Sequence, residues 1–156
     1  MSSKQAKPGA MAKQAGSFAG AHCSCFRLRR AARRLSRVYD QALRPSGLRG
    51  TQYSLLSHVL HADGLSVTDL AERMAMERTT LTRNLRPLQK AGLVRIEAGA
   101  DRRSRAVRIT ARGRQAYEAA LPLWRAAERS FRRQMGRDEV AALHRLLDRA
   151  AASLSD

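Results

Sequence analysis

The chain has 156 residues, 44% hydrophobic and 28% charged, and its 30 Lys and Arg outnumber 13 Asp and Glu to leave a formal charge of +17. That length and composition predict one folded domain and exclude a chain disordered throughout. Charge of this size repels itself unless a polyanion offsets it, which puts nucleic acid first among partners, although 26 of the 30 basic residues are Arg and an arginine-rich coding style would give the same balance without function.

Residues 1–22 hold Phe18 as their one large aromatic side chain among Lys, Ser, Gly, Ala and Gln, and are expected to be a flexible basic tail. From Cys25 to Arg44 the residues Leu28, Ala31, Ala32, Leu35, Val38, Tyr39, Ala42 and Leu43 recur at the helical period, with Arg27, Arg29, Arg30, Arg33, Arg34 and Arg37 on the other face. Pro45-Ser46-Gly47 ends that helix. A second helix is predicted from Thr51 to His61, stopped by Asp63-Gly64. Ser66 and Asp69 form a capping-box pattern that opens a short helix carrying Leu70, Ala71 and Met74, followed by a turn at Ala75 and Met76.

A further helix from Arg78 to Ala91 turns Leu81, Leu85 and Leu88 inward and leaves Arg78, Thr79, Thr82 and Arg83 outward, with Gly92 as its stop. Val94 and Ile96, then Val107 and Ile109, alternate with polar residues around a basic tip at residues 99–104, the pattern of a β-hairpin. A long helix is predicted from Ala111 to Met135, and a last one, capped by Asp138, with the stripe Val140, Leu143, Leu147, Ala150 and Leu154. Pro87 and Pro122 each interrupt a helix and are expected to kink it.

The longest uncharged stretches, Gln14 to Phe26 and Gly50 to Ala62, are 13 residues each, short of the ~18 needed to span a bilayer. No secretory signal is evident, so the expected location is the cytoplasm. Two cysteines one residue apart cannot be a disulfide framework. Phosphate-binding glycine loops, zinc-protease histidine pairs and nucleophile elbows are missing from the sequence, and no catalytic set is predicted.

Two short helices followed by an arginine-tipped hairpin suit duplex DNA, because a helix fits the major groove and a hairpin reaches the neighbouring minor groove or backbone. Arg78, Thr79, Thr82 and Arg83 have the donors, acceptors and methyls that base edges and phosphates require. The bland alternative is a solvated helix face or a winged helix that contacts protein.

Leu65-Ser66-Val67-Thr68-Asp69-Leu70-Ala71, Thr79-Thr80-Leu81-Thr82-Arg83, Lys90-Ala91-Gly92-Leu93-Val94 and the run from Asp101-Arg102-Arg103 to Val107-Arg108-Ile109-Thr110 resemble the MarR-type winged helix-turn-helix transcriptional regulators. The resemblance extends from about Leu28 to the C-terminus. It implies a mainly α fold with a small β-hairpin wing, in which residues 51–110 form the DNA-binding lobe and residues 23–50 and 111–156 the dimerisation helices of a single domain 23–156. It further implies that Thr79, Thr80, Thr82 and Arg83 face the major groove, that Arg103 enters the minor groove beside Arg102 and Arg105, and that Asp101 orients the wing arginines. The function implied is that of a homodimeric regulator, a repressor on promoter DNA; the alternative is a basic architectural protein that binds nucleic acid without sequence preference.

Members of this family commonly release DNA on binding an aromatic or phenolic effector, on cysteine oxidation or on binding a metal. Cys23 and Cys25 open the first helix beside Arg27, Arg29 and Arg30, a setting in which thiols react. A disulfide across one residue is strained, so the expected products are a link between subunits or sulfenic acid. The plain alternative is two small residues at a helix start. His22 with the two cysteines, or His58 with His61, falls short of a metal ligand set. Tyr39, Tyr53, His58 and Trp124 are the candidate lining of an effector pocket, though each also suits a core.

Overall fold

A computed structural model describes residues 23–62, 64–99 and 105–154. The expected tail of residues 1–22 lies outside the described residues. The elements are α1 (Ser24–Leu43), a single 3-10 turn (Arg44–Ser46), α2 (Gly50–His61), α3 (Val67–Arg73), α4 (Arg78–Lys90), β1 (Val94–Ala98), β2 (Arg105–Ile109), α5 (Ala111–Met135) and α6 (Arg137–Ala152). Each predicted element is present with ends shifted by a residue or two, which is the range in which helix ends fray. The chain divides into one unit up to Leu35 and another from Ser36 onward. No helix among the described residues is long and apolar enough to cross a membrane.

The core of the second unit collects Leu43, Leu55, Leu56, Val59, Leu70, Leu81, Leu85, Leu88, Val94 and Val107, all essentially inaccessible. These come from every element between the end of α1 and β2, so α2, α3, α4 and the hairpin share one apolar centre and hold one another in place. The hairpin pairs Val94 with Ile109 and Ala98 with Arg105 in antiparallel register. A third short segment joins it, as Ser66 bridges Ala106 and the amide of Val107 donates to the Leu65 carbonyl at 2.9 Å. This register sets Arg95 directly opposite Arg108, a like-charge pair that opposes the sheet. Glu97 offsets the repulsion by accepting from both guanidinium groups.

α3 and α4 end in the same way. At the end of α3, Met76 N–H donates to the Ala71 carbonyl at 2.8 Å and Ala75 N–H to the Glu72 carbonyl at 2.9 Å. At the end of α4, Leu93 N–H donates to Leu88 and Gly92 N–H to Gln89, at 2.9 and 3.0 Å. Both are Schellman caps, which need one left-handed residue. Gly92 takes φ +69° freely, whereas Ala75 takes φ +49° against its own Cβ. Ser66 caps α3 by accepting from Asp69 N–H at 3.0 Å.

α6 departs from expectation. Asp138 lies in its first turn, and the capping position belongs to Gly136, whose φ of +95° lets α5 stop and α6 begin with one residue between them. Asp138 still complements the positive end of the helix dipole there, without a capping hydrogen bond.

The start of α5 is fixed by Thr110 and Gly113. Thr110 Oγ1 accepts from Gly113 N–H at 2.9 Å and donates to the Gly92 carbonyl at 2.7 Å. A Cβ on Gly113 would stand 2.0 Å from the Leu93 carbonyl oxygen, a backbone atom that cannot turn aside. Gly113→Ala is therefore expected to lose about 1–3 kcal/mol or more through overpacking, read from the urea midpoint; an unchanged midpoint would show that α5 can back away freely. Ala75→Gly should do the opposite and raise stability by roughly 0.5–1 kcal/mol, since it removes the left-handed penalty at the cost of some unfolded-state entropy. A fall in the midpoint for that variant would contradict the strain assigned to Ala75.

Candidate nucleic-acid interface

The candidate reading surface is the outer face of α4. Leu81, Leu85 and Leu88, at spacings of four and three, lock one side of the helix into the core. The opposite side follows from helical geometry: Thr79, Arg83, Arg86 and Lys90, at spacings of four, three and four, form one exposed row. Thr82 and Arg78 flank that row on one side and Thr80 on the other, and all three are exposed. Thr82 Oγ1 donates to the Arg78 carbonyl at 2.9 Å, which leaves its methyl and lone pairs for a partner.

Arg86 and Lys90 were not among the predicted contacts. Their signal lies in the continuing four-three-four spacing, beyond the point at which Pro87 removes a helical hydrogen bond. α4 runs unbroken through Pro87 to Lys90, so the basic row is twice as long as expected. No acidic residue lies within α4. Glu97 on the neighbouring strand is occupied by Arg95 and Arg108. The face is cationic without internal neutralisation, as a phosphate-lined groove requires.

Of the predicted wing residues, Arg105 is exposed at the first position of β2, opposite Ala98. Asp101, Arg102 and Arg103 lie outside the described residues. β1 and β2 project from the same core that buries the apolar side of α4.

Three of the four predicted pocket residues come together, but as a stack. Trp124 on α5 lies between Tyr39 and Tyr53, with ring centroids 6.5 and 5.8 Å away, and Tyr53 stacks in turn on Tyr117 at 5.1 Å. His61 meets the edge of Tyr117 at 6.2 Å. His58 stands apart from this stack and bonds through Nδ1 to the Ser54 carbonyl one turn back. Tyr117 and His61 were missed although a signal was present: Tyr117 lies one heptad before Trp124 on α5, and His61 lies two turns after Tyr53 on α2.

The stack has a polar end. Tyr39 donates its hydroxyl to Glu128, which also accepts from Arg132 Nε at 2.6 Å. Burial, reinforced by the bond to Glu128, pushes the Tyr39 phenol above its ordinary range, and burial with the neighbouring Tyr117 does the same to Tyr53. Burial alone would raise Glu128, but the hydrogen bonds from Tyr39 and Arg132, with the charges of Arg132 and His144, hold it below the usual carboxylate range. A polar cleft of about 540 Å³ opens elsewhere, lined by Arg37, Asp40, Arg44 and Arg49, and includes none of the predicted pocket residues. Cys23 and Cys25 are exposed free thiols at the start of α1, where the Cys23 carbonyl accepts from Arg27 N–H at 3.1 Å.

Residues 46–104 match the family model described as MarR family. An HTH-type transcriptional regulator of Bacillus subtilis is 32% identical over 76 residues, and the match spans 48% of this chain and less than half, 46%, of that relative. The transcriptional regulator MosR of M. tuberculosis, solved in complex with DNA, is 42% identical, with 82% of this chain and 98% of that one covered and a TM-score of 0.70. A probable transcriptional regulator from Pseudomonas aeruginosa is 26% identical, with 83% and 98% covered and a TM-score of 0.75. The repressor CouR, bound to a 23-mer DNA duplex, is also 26% identical, with 84% and 94% covered and a TM-score of 0.76. With 42% identity across nearly the whole of a regulator of the same fold, and the family model lying over α2, α3, α4 and β1, the chain belongs to the MarR family of winged helix-turn-helix transcriptional regulators.

Proposed function

We propose that this protein binds duplex promoter DNA in a sequence-specific manner as a homodimeric repressor. The observation that carries the reading is the exposed row Thr79, Arg83, Arg86 and Lys90, held rigid by three buried leucines and free of acidic residues. Its first two turns read base edges, where Arg83 pairs with a guanine, while Arg86 and Lys90 meet phosphates as the groove curves away. The wing, with Asp101, Arg102, Arg103 and Arg105, reaches the adjacent minor groove or backbone. DNA complexes of MosR and of CouR support the assignment by similarity.

Dimerisation is supported by apolar side chains left exposed on the terminal helices: Leu28 and Val38 on α1, Met135 on α5, and Leu146 and Leu147 on α6. Residues 23–50 and 111–156 supply that interface in this reading, and residues 51–110 supply the DNA-binding lobe. A two-fold dimer would address two half-sites about 10 base pairs apart. Repression follows from occlusion of the promoter.

For release we favour oxidation of Cys23 and Cys25 over an aromatic effector, because both sulfurs are exposed while Tyr39, Tyr53 and Trp124 are packed on one another. Peroxide takes two electrons and two protons from a pair of thiols, one S–S bond forms, and the peroxide leaves as two waters.

In a fluorescence-anisotropy titration, Arg83→Ala should weaken operator binding by about 5- to 150-fold and relax discrimination at one base pair, whereas Thr80→Ala should weaken operator and random duplex alike. Equal loss on both duplexes for Arg83→Ala would remove it from base reading. Treatment with hydrogen peroxide should abolish the operator complex of the native protein and spare a Cys23→Ser, Cys25→Ser double variant. Release of the double variant to the same extent would discard the thiols as sensor and return attention to the aromatic stack.

A further inference from the structure

The basic charge is distributed unevenly along the chain. The first acidic residue is Asp40, by which point nine Lys and Arg have passed, and six of these nine are the arginines of α1. Recognition by α4 and the wing leaves this half of the positive field unexplained.

α1 is built against its own electrostatics. Arg29 and Arg33, Arg30 and Arg34, and Arg33 and Arg37 stand one turn apart, where like charges destabilise a helix. No acidic residue occupies its first turn, and Arg27 places a further cation near the positive end of the helix dipole. Among the described residues Arg29, Arg30 and Arg34 make no ion pair; Arg30 lies over the Phe26 ring at 5.6 Å, which supports its stem and leaves its charge outward. All three are exposed. Arginine on successive turns spreads fixed positive charge over the length of the helix, as a line of phosphates would require and a single carboxylate would not.

We infer that α1 is a second DNA-contacting surface, whose Arg29, Arg30 and Arg34 bind the phosphate backbone of duplex DNA. The occupant is a polyanion because only several anions in a row relieve several repelling turns at once. Duplex DNA is favoured over an anionic membrane or an acidic protein because the chain belongs to a family of transcriptional regulators. The inference rests on the DNA-binding reading but not on its sequence specificity. This surface carries no base information and adds affinity to any sequence, which lengthens residence near an operator while competing sites are scanned.

The test is the salt dependence of binding to a random-sequence duplex of about 60 base pairs. Replacing Arg29, Arg30 and Arg34 by Gln should lower the slope of log K against log salt by roughly 3, since each phosphate contact contributes about 0.9. The same three positions changed to Lys should keep most of the slope, which separates charge from folding. An unchanged slope for the Gln variant overturns the proposal. So does a fall in slope accompanied by halving of the mass in light scattering, which would assign the arginines to acidic groups of a second copy. Retention of the native protein but not the Gln variant on phosphatidylserine vesicles, with the DNA slope unchanged, would reassign the surface to membrane. If the native protein binds operator and random duplex equally, sequence-specific regulation fails while this proposal stands on its slope; if it binds no duplex at all, both fail.

Discussion

The position of the reading helix depends on one junction, where the Thr110 hydroxyl meets the backbone of Gly92 and Gly113. That hydroxyl donates to the Gly92 carbonyl just past α4 and accepts from the amide of Gly113, the third residue of α5, while the Thr110 amide donates to the Leu93 carbonyl at 3.1 Å. Four elements therefore end or begin within one hydrogen-bonded cluster: α4, β1, β2 and α5. Gly113 makes the cluster possible by letting α5 start against the Leu93 carbonyl at a distance no side chain would tolerate. A rotation of α5 must be passed to the end of α4 through this contact or must break it. The proposed dimer helices and the proposed reading surface lie in different elements, and a rigid connection of this kind is what coupling between them requires.

Charge is handled differently in different parts of the chain. The hairpin sets Arg95 against Arg108 and neutralises both with Glu97, so its repulsion is settled internally. Glu128 performs a similar service for Arg132, and the Tyr39 hydroxyl adds a neutral donor to the same carboxylate. α4 has no such partner for Arg83, Arg86 or Lys90 among the described residues, and α1 has none for Arg29 or Arg34. Where acidic residues are supplied, the arginines serve the fold; where they are withheld, the fold gains nothing from the charge.

The fold was legible because its signals are local. The leucine period of α4, the Ser66 cap and the alternation around the hairpin each need only a few neighbouring residues to be recognised, and their boundaries agree with the structure closely. The outward face of the first turns of α4 was legible for the same reason. The aromatic stack was legible in part: Tyr39, Tyr53 and Trp124 do meet, but Tyr117 joins them and His58 does not, because meetings between helices depend on rotations that no single period reveals. The Schellman cap of α3 was hidden by its residue type. Gly92 announced the end of α4, whereas Ala75 occupies the same left-handed position without the glycine that marks it.

The two internal prolines show how a local rule is broken without breaking the helix. Pro87 removes the amide that would bond to the Arg83 carbonyl, and Pro122 does the same for Glu118. Both prolines are exposed, and the side of a helix that carries residue i+4 also carries the carbonyl of residue i. The orphaned carbonyls therefore open toward water, which supplies the missing donor. Shifting either proline by two positions would turn the orphan toward the core, against Leu85 and Leu88 in α4 or Ala120 in α5, where no donor is available. Placed where they are, the prolines keep the broken hydrogen bond of each helix on its wet side and leave the apolar side packed on the core.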